Sequence, residues 1–211
     1  AATRQLPIYC VQRDQKVCSI SFDAAWGADN TQKILDVLKE YGVTCTFFVV
    51  GNWADQYPEQ AKAIVESGNE LMNHSNAHDH FNALSADAII ADVNTCNDKI
   101  EALTGVRPTL IRCPFGEYDD HVISAIRSIG MEPIQWDVEA LAASGSARGA
   151  SDTRAFCRLS GPEDRFKIQL LQIRRRIHIF LNRVLVVPHL LPENISRFKR
   201  DGYFFNKFIV I

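Results

Sequence analysis

The sequence has no apolar run approaching the ~18 residues that a membrane-crossing helix needs, so no span is expected. Its opening residues, Ala1-Ala2-Thr3-Arg4, lack the charged-then-apolar pattern of a secretory signal. The chain therefore reads as soluble, with any export or anchor segment lying outside it. There is no C-x-x-C pair either, and the six cysteines (Cys10, Cys18, Cys45, Cys96, Cys113 and Cys157) show no metal-ligand spacing. Each reads as a free or buried thiol. With 11 Gly and 8 Pro, collagen-like repeats are excluded, and 46% hydrophobic residues exclude disorder. A length of 211 residues suits one domain over residues 1–211.

Net charge is also scarce, at −2, but it is unevenly distributed. Residues 1–140 hold 10 Lys+Arg against 20 Asp+Glu, while residues 141–211 hold 13 against 5. A basic tail of this kind raises nucleic-acid binding as a reading, but charge alone supports it and no nucleic-acid partner is expected.

What the first part does have is alternation. Residues 17–22 read as a strand, and residues 31–41 carry Ile34, Leu35, Val37 and Leu38 at helical spacing before Gly42. The pattern continues with a strand at 43–50, a helix at 58–67, a strand at 70–72, a helix at 86–103 capped by Ser85, a strand at 109–112, a helix at 119–129 and a strand at 132–136. Strands alternating with helices of ten or so residues predict an α/β sheet or barrel with parallel crossovers. Residues 142–158 lose the periodicity, and 168–185 are interrupted by Arg174-Arg175-Arg176. Order resumes with a helix at 192–200 and a strand at 203–211.

In such folds chemistry gathers at the carboxyl ends of the strands. Asp23 follows the first strand, His74 and His78 the third, and Arg112 ends the fourth, so these predicted positions converge on one rim. His74-Ser75-Asn76-Ala77-His78 puts two imidazoles four residues apart, a spacing that can share a divalent cation. Solvated surface histidines are the plain alternative, more so for His80. Asp23 suits a general base or a metal ligand, or a helix cap. Asp29 and Asn30 read most simply as the N-cap of the first helix. In Arg112-Cys113-Pro114-Phe115-Gly116-Glu117-Tyr118, Pro114 and Gly116 favour one fixed loop geometry, and Arg112 can orient a carboxylate.

Ser21-Phe22-Asp23, His74-Ser75-x-x-His78 and Arg112-x-Pro114-x-Gly116-x-Tyr118, in this order, resemble the polysaccharide deacetylases of the NodB-homology type, carbohydrate esterase family 4. Asp23-Ala24-Ala25-Trp26-Gly27 is similar to the branch that includes sporulation-associated deacetylases. The resemblance implies a distorted (β/α) barrel and hydrolysis of N-acetyl groups on a peptidoglycan or chitin-like glycan, outside the cytoplasm or in the cell envelope. It also implies a divalent metal, zinc or else cobalt or nickel, held by His74 and His78. Asp23 would be the base and Arg112 its orienting partner. Trp26, Pro114 and Tyr118 would touch the glycan, and a backbone N–H near Tyr118 would face the oxyanion.

Three positions depart from that pattern. Ala24 stands where the family has a third, carboxylate ligand, so that either Asp29 or His80 substitutes or the metal is held weakly by two histidines and waters. Residues 139–143 lack the family's fourth motif. Leu181 falls where a histidine should protonate the leaving group, leaving His178 as the nearest replacement. Residues 142–189 thus read as an atypical segment, either corrupted in its reading frame or degenerate. The rival functions are a catalytically impaired glycan-binding relative and an O-acetyl xylan esterase.

Overall fold

In the computed structural model, residues 4–11, 18–136, 138–140 and 205–210 are described, with Cys18 and the last two segments through their backbone alone. The expected helix at 192–200 and the atypical segment 142–189, with His178 and Leu181, lie outside the described residues.

The chain runs β1 (Cys18–Ala24), α1 (Thr31–Tyr41), β2 (Thr46–Val49), α2 (Gly51–Gln56), α3 (Pro58–Glu66), β3 (Glu70–Asn73), α4 (Ala86–Thr104), β4 (Leu110–Ile111), α5 (Asp120–Ser128), β5 (Glu132–Pro133), β6 (Val138–Ala140) and β7 (Phe205–Val210). The strands form one sheet in the order β5-β4-β3-β2-β1-β7-β6. From β1 to β5 every neighbour is parallel, so each crossover steps one place the same way and the sheet curls into a half-barrel of the α/β class. The last strand departs from the parallel rule: β7 runs antiparallel to β1, with Asp23 opposite Phe205, and β6 runs antiparallel to β7. At the other edge, Ile8 bridges Ile134, and its N–H donates to the Pro133 carbonyl at 2.9 Å.

Period-two alternation in the strands sorts side chains between two faces. Ile20, Phe22 and Ala24 of β1, Phe47 and Val49 of β2 and Leu71 of β3 join Ile34, Leu35, Leu38, Trp53 and Ile64 in the apolar cluster beneath the helices. A second cluster packs Ile89 and Val93 of α4 and Val122 and Ile126 of α5 on Ile111. The opposite face, the inside of the curl, receives Phe48 against Ile134, with Ile8, Met72 and Leu110 at its edge. Ser21, Asp23 and Arg112 share that inner side. A single pleat therefore delivers Phe22 to the core and Asp23 to the site.

Caps fix the helix ends that set the site loops. Ser85 Oγ accepts from the Ala88 N–H at 3.3 Å, and Asp119 Oδ1 accepts from the N–H groups of His121 and Val122. That second cap, led by the Val122 bond, holds the Asp119 carboxyl below its ordinary range. The first helix differs from expectation. Asn30 occupies its N-cap without a side-chain bond to the helix backbone, and Asp29 makes no cap. Among the described residues no helix is long and apolar enough to cross a membrane.

Candidate active site

The centre of the site is a buried guanidinium. Arg112, the residue after β4, is fully buried; its Nη1 donates to Asp23 Oδ1 at 2.5 Å and its Nη2 to Ser21 Oγ at 2.9 Å. Its Cζ lies 4.2 Å from the centroid of the Phe48 ring and 5.6 Å from that of Trp136, so the charge is also held on aromatic faces. Burying two charges is tolerable only when they are paired and hydrogen-bonded, and Ser21 and Asp23, two apart on β1, present both acceptors to one fork. Arg112 and Asp23 are thus in direct contact.

The Arg112 main chain also bonds a histidine. His74 Nδ1 lies 2.7 Å from the Arg112 carbonyl oxygen, and a carbonyl only accepts, so Nδ1 carries the hydrogen. In the neutral ring this leaves the lone pair on Nε2, which lies 3.7 Å from Asp23 Oδ2. Two lone-pair atoms facing each other at that range suit a positively charged species between them.

His78 completes the pair. The rings of His74 and His78 meet edge to face with centroids 5.0 Å apart. The His78 ring is flanked by Trp26 at 4.8 Å and Phe115 at 4.6 Å, and His80 stacks flat on Phe115 at 4.0 Å while Nδ1 pairs with Glu117 Oε2 at 2.9 Å. Trp26 and Phe115 are 45% and 51% exposed, so the polar centre opens on an aromatic lip. Phe115 and its neighbour Gly116 have φ of 58° and 69°. A Cβ at Gly116 would come within 2.5 Å of Trp136 Cη2, so space and backbone both call for glycine there.

Other expected site residues are placed differently. Pro114 is buried, and Phe115 takes the exposed position expected of it. Tyr118 is half-buried, with its hydroxyl 2.6 Å from that of Tyr9. Asp29 is exposed ahead of α1 and is not gathered with the histidines; His80 is engaged by Glu117 instead. Among the described residues no three His, Cys, Asp or Glu side chains are grouped as for a metal ion. The donor chemistry of His74 and His78 suits a divalent cation, but the set falls short of the three protein ligands usual at a catalytic zinc. Ala24, at the position where the resemblance implies a third ligand, is fully buried in the helix-side cluster. Ser21 and Phe115 join the site without standing out in the sequence; Ser21 lies in Ser21-Phe22-Asp23, but its bond to Arg112 spans 91 residues of sequence.

A family model described as polysaccharide deacetylase matches residues 11–134. The chain belongs to the polysaccharide deacetylase family. It is 37% identical over 129 residues to the peptidoglycan-N-acetylmuramic acid deacetylase PdaC of Bacillus subtilis (strain 168), which covers 61% of this chain and 27% of that protein. Its structure resembles that of B. subtilis PdaA, a family 4 carbohydrate esterase, with a TM-score of 0.60 at 28% identity over 63% of this chain and 57% of that one. It resembles equally a CE4-family pseudoenzyme from Bacillus anthracis, with a TM-score of 0.61 at 32% identity over 63% of this chain and 47% of that one. The chain spans half or less of the curated PdaC and PdaA proteins.

Proposed function

We propose that the chain carries the site of a hydrolase that removes N-acetyl groups from a cell-envelope glycan of the peptidoglycan or chitin-like class, within one domain over residues 1–211. The observation that carries this reading is the buried Ser21–Arg112–Asp23–His74 assembly at the strand ends. Arg112 pairs with Asp23 and aims it, which is what a base accepting a proton from water needs. The Arg112 carbonyl fixes the His74 tautomer so that Nε2 offers a lone pair toward the same space. His74 and His78 would hold a divalent ion, zinc or else cobalt or nickel, which when bound supplies Lewis acidity toward water and an acetyl oxygen. Trp26 and Phe115 offer apolar faces to the sugar rings. The residue that protonates the leaving amine, expected at His178, is part of the same proposal.

The test is acetate release from N-acetylated glycan oligomers, with and without a chelator. Release should fall by on the order of 10²-fold or more in Asp23→Asn and on chelation or in His74→Ala. Release indifferent to all three would rule the reading out.

A second reading has its own support. With no group of three metal-ligating side chains among the described residues and Ala24 in the core, a glycan-binding relative without turnover also fits. It predicts that the oligomers bind while no acetate appears, whatever metal is added.

A further inference from the structure

His78 has φ of 62°, in the left-handed region that costs a residue bearing a Cβ roughly 1–2 kcal/mol. Ser75, three residues earlier, has φ of 68°. A loop holding two such residues needs outside support, and its backbone hydrogen bonds show where that comes from. The amides of residues 75 to 78 all donate to side-chain oxygens. Ser75 N–H donates to Asn73 Oδ1 at 2.7 Å, and His78 N–H to Ser75 Oγ at 2.8 Å. The two between them go to one carboxylate on α4: Asn76 N–H donates to Asp92 Oδ1 at 2.8 Å and Ala77 N–H to Asp92 Oδ2 at 3.2 Å.

The same helix fixes the strand that feeds the loop. Asn73 Nδ2 donates to the Val93 carbonyl at 3.0 Å and to Asn97 Oδ1 at 2.8 Å. Helix α4 therefore grips β3 at its end and the loop at its crown. Burial pushes the Asp92 carboxyl above its ordinary range, with Asp79 adding to the rise, against the pull of the two amides and Lys99. Asparagine would avoid the cost of that half-buried charge, but it offers one acceptor and would aim an NH₂ at a backbone N–H.

We propose that Asp92 is a positioning residue of the candidate site, clamping two adjacent amides of the loop with its two oxygens so that the His78 ring is held against His74 between Trp26 and Phe115. This rests on the reading of His78 as a site residue. His74 supplies an internal control, because its main-chain N–H donates to the Val49 carbonyl and its ring is held by the Arg112 carbonyl, neither of which involves Asp92.

The experiment uses the full chain without added metal or glycan, comparing wild type with Asp92→Asn and Asp92→Ala. Amide exchange is read at Asn76 and Ala77, and the imidazole NMR signals at His74 and His78. Expected is a loss of protection of about tenfold or more at Ala77 in both variants, because a bond to a charged acceptor is removed. The His78 ring signals should shift by more than those of His74, whose ring meets His78 edge to face but keeps its own bond to the Arg112 carbonyl. Lost protection with unmoved His78 signals would reduce Asp92 to a structural brace and overturn the proposal, as would unchanged protection. Should Asp92→Ala fail to fold, the nearly isosteric Asp92→Asn carries the test. Absence of acetate release from the wild type would sink the functional reading and leave this measurement standing.

Discussion

The inner wall of the site and its outer lip are held by different forces. Ser21, Asp23, His74 and Arg112 are at most 2% exposed and are locked by charge and hydrogen bonds. Trp26 and Phe115 are about half exposed and make ring contacts with His78, which in turn meets His74. A wall built from buried charge cannot be trimmed without leaving a charge unpaired, whereas a lip built from ring contacts can lose a member and leave the fold standing. The wall should therefore govern stability and chemistry together, and the lip should govern affinity alone.

The sharpest way to break that contrast is Arg112→Met. It leaves Asp23 buried without its cation and should cost about 3–5 kcal/mol of unfolding free energy, read by denaturant titration. Asp23→Leu added to Arg112→Met should recover much of the loss, since apolar replacement of both members of a buried pair is often close to neutral. If Arg112→Met were as stable as wild type, the wall would not be held by charge.

The lip gives the smaller effect. Phe115→Gly removes a half-exposed ring and relieves the left-handed strain at φ 58°, so unfolding free energy should stay within about 1 kcal/mol. Glycan affinity should weaken roughly two- to tenfold, the worth of an aromatic contact, and Trp26→Ala should behave alike. Calorimetric titration with N-acetylated oligomers checks this; an unfolded Phe115→Gly would show that the lip is structural after all.

The wall was more legible in the sequence than the lip, for physical reasons. Asp23, His74 and Arg112 sit at or just beyond strand ends, and the strands announce themselves through β-branched and aromatic runs. Strand extents were less legible. The predicted strand at 43–50 shrinks to Thr46–Val49 because the Val43 N–H turns back to the Leu38 carbonyl and the Cys45 N–H to Asn69 Oδ1. Helix α2 was missed: six residues following an unbroken apolar run give no helical period to read. Ser21, Asp92 and Phe115 depend on partners far along the chain or on one backbone angle, and neither leaves a mark on local pattern. Asp29 misled because a carboxylate just ahead of a helix looks the same in sequence whether it caps, ligates or, as here, faces solvent.

The thiols report on the same difference in burial. Cys113 follows Arg112 directly and packs on the helix side, and burial pushes its thiol up to about 12. Burial also pushes Cys96 up to about 12, and Cys45 is raised for the same reason, while Cys10 is exposed. In the folded chain Cys10 should alkylate at pH 8 while these three stay protected, because the thiolate is the nucleophile and burial withholds it. The pH dependence has a definite sign. Thiols raised in the folded state keep their protons when the unfolded chain has already lost its own, so from about pH 9 upward the unfolded state binds fewer protons and stability falls, continuing to fall until the folded thiols ionise near pH 12. Cys113→Ala should blunt that alkaline loss, measured as unfolding free energy between pH 8 and pH 10. An alkaline slope unchanged by the substitution would mean that the thiol behind Arg112 is reached by water, and that the wall is less closed than its buried ion pair requires.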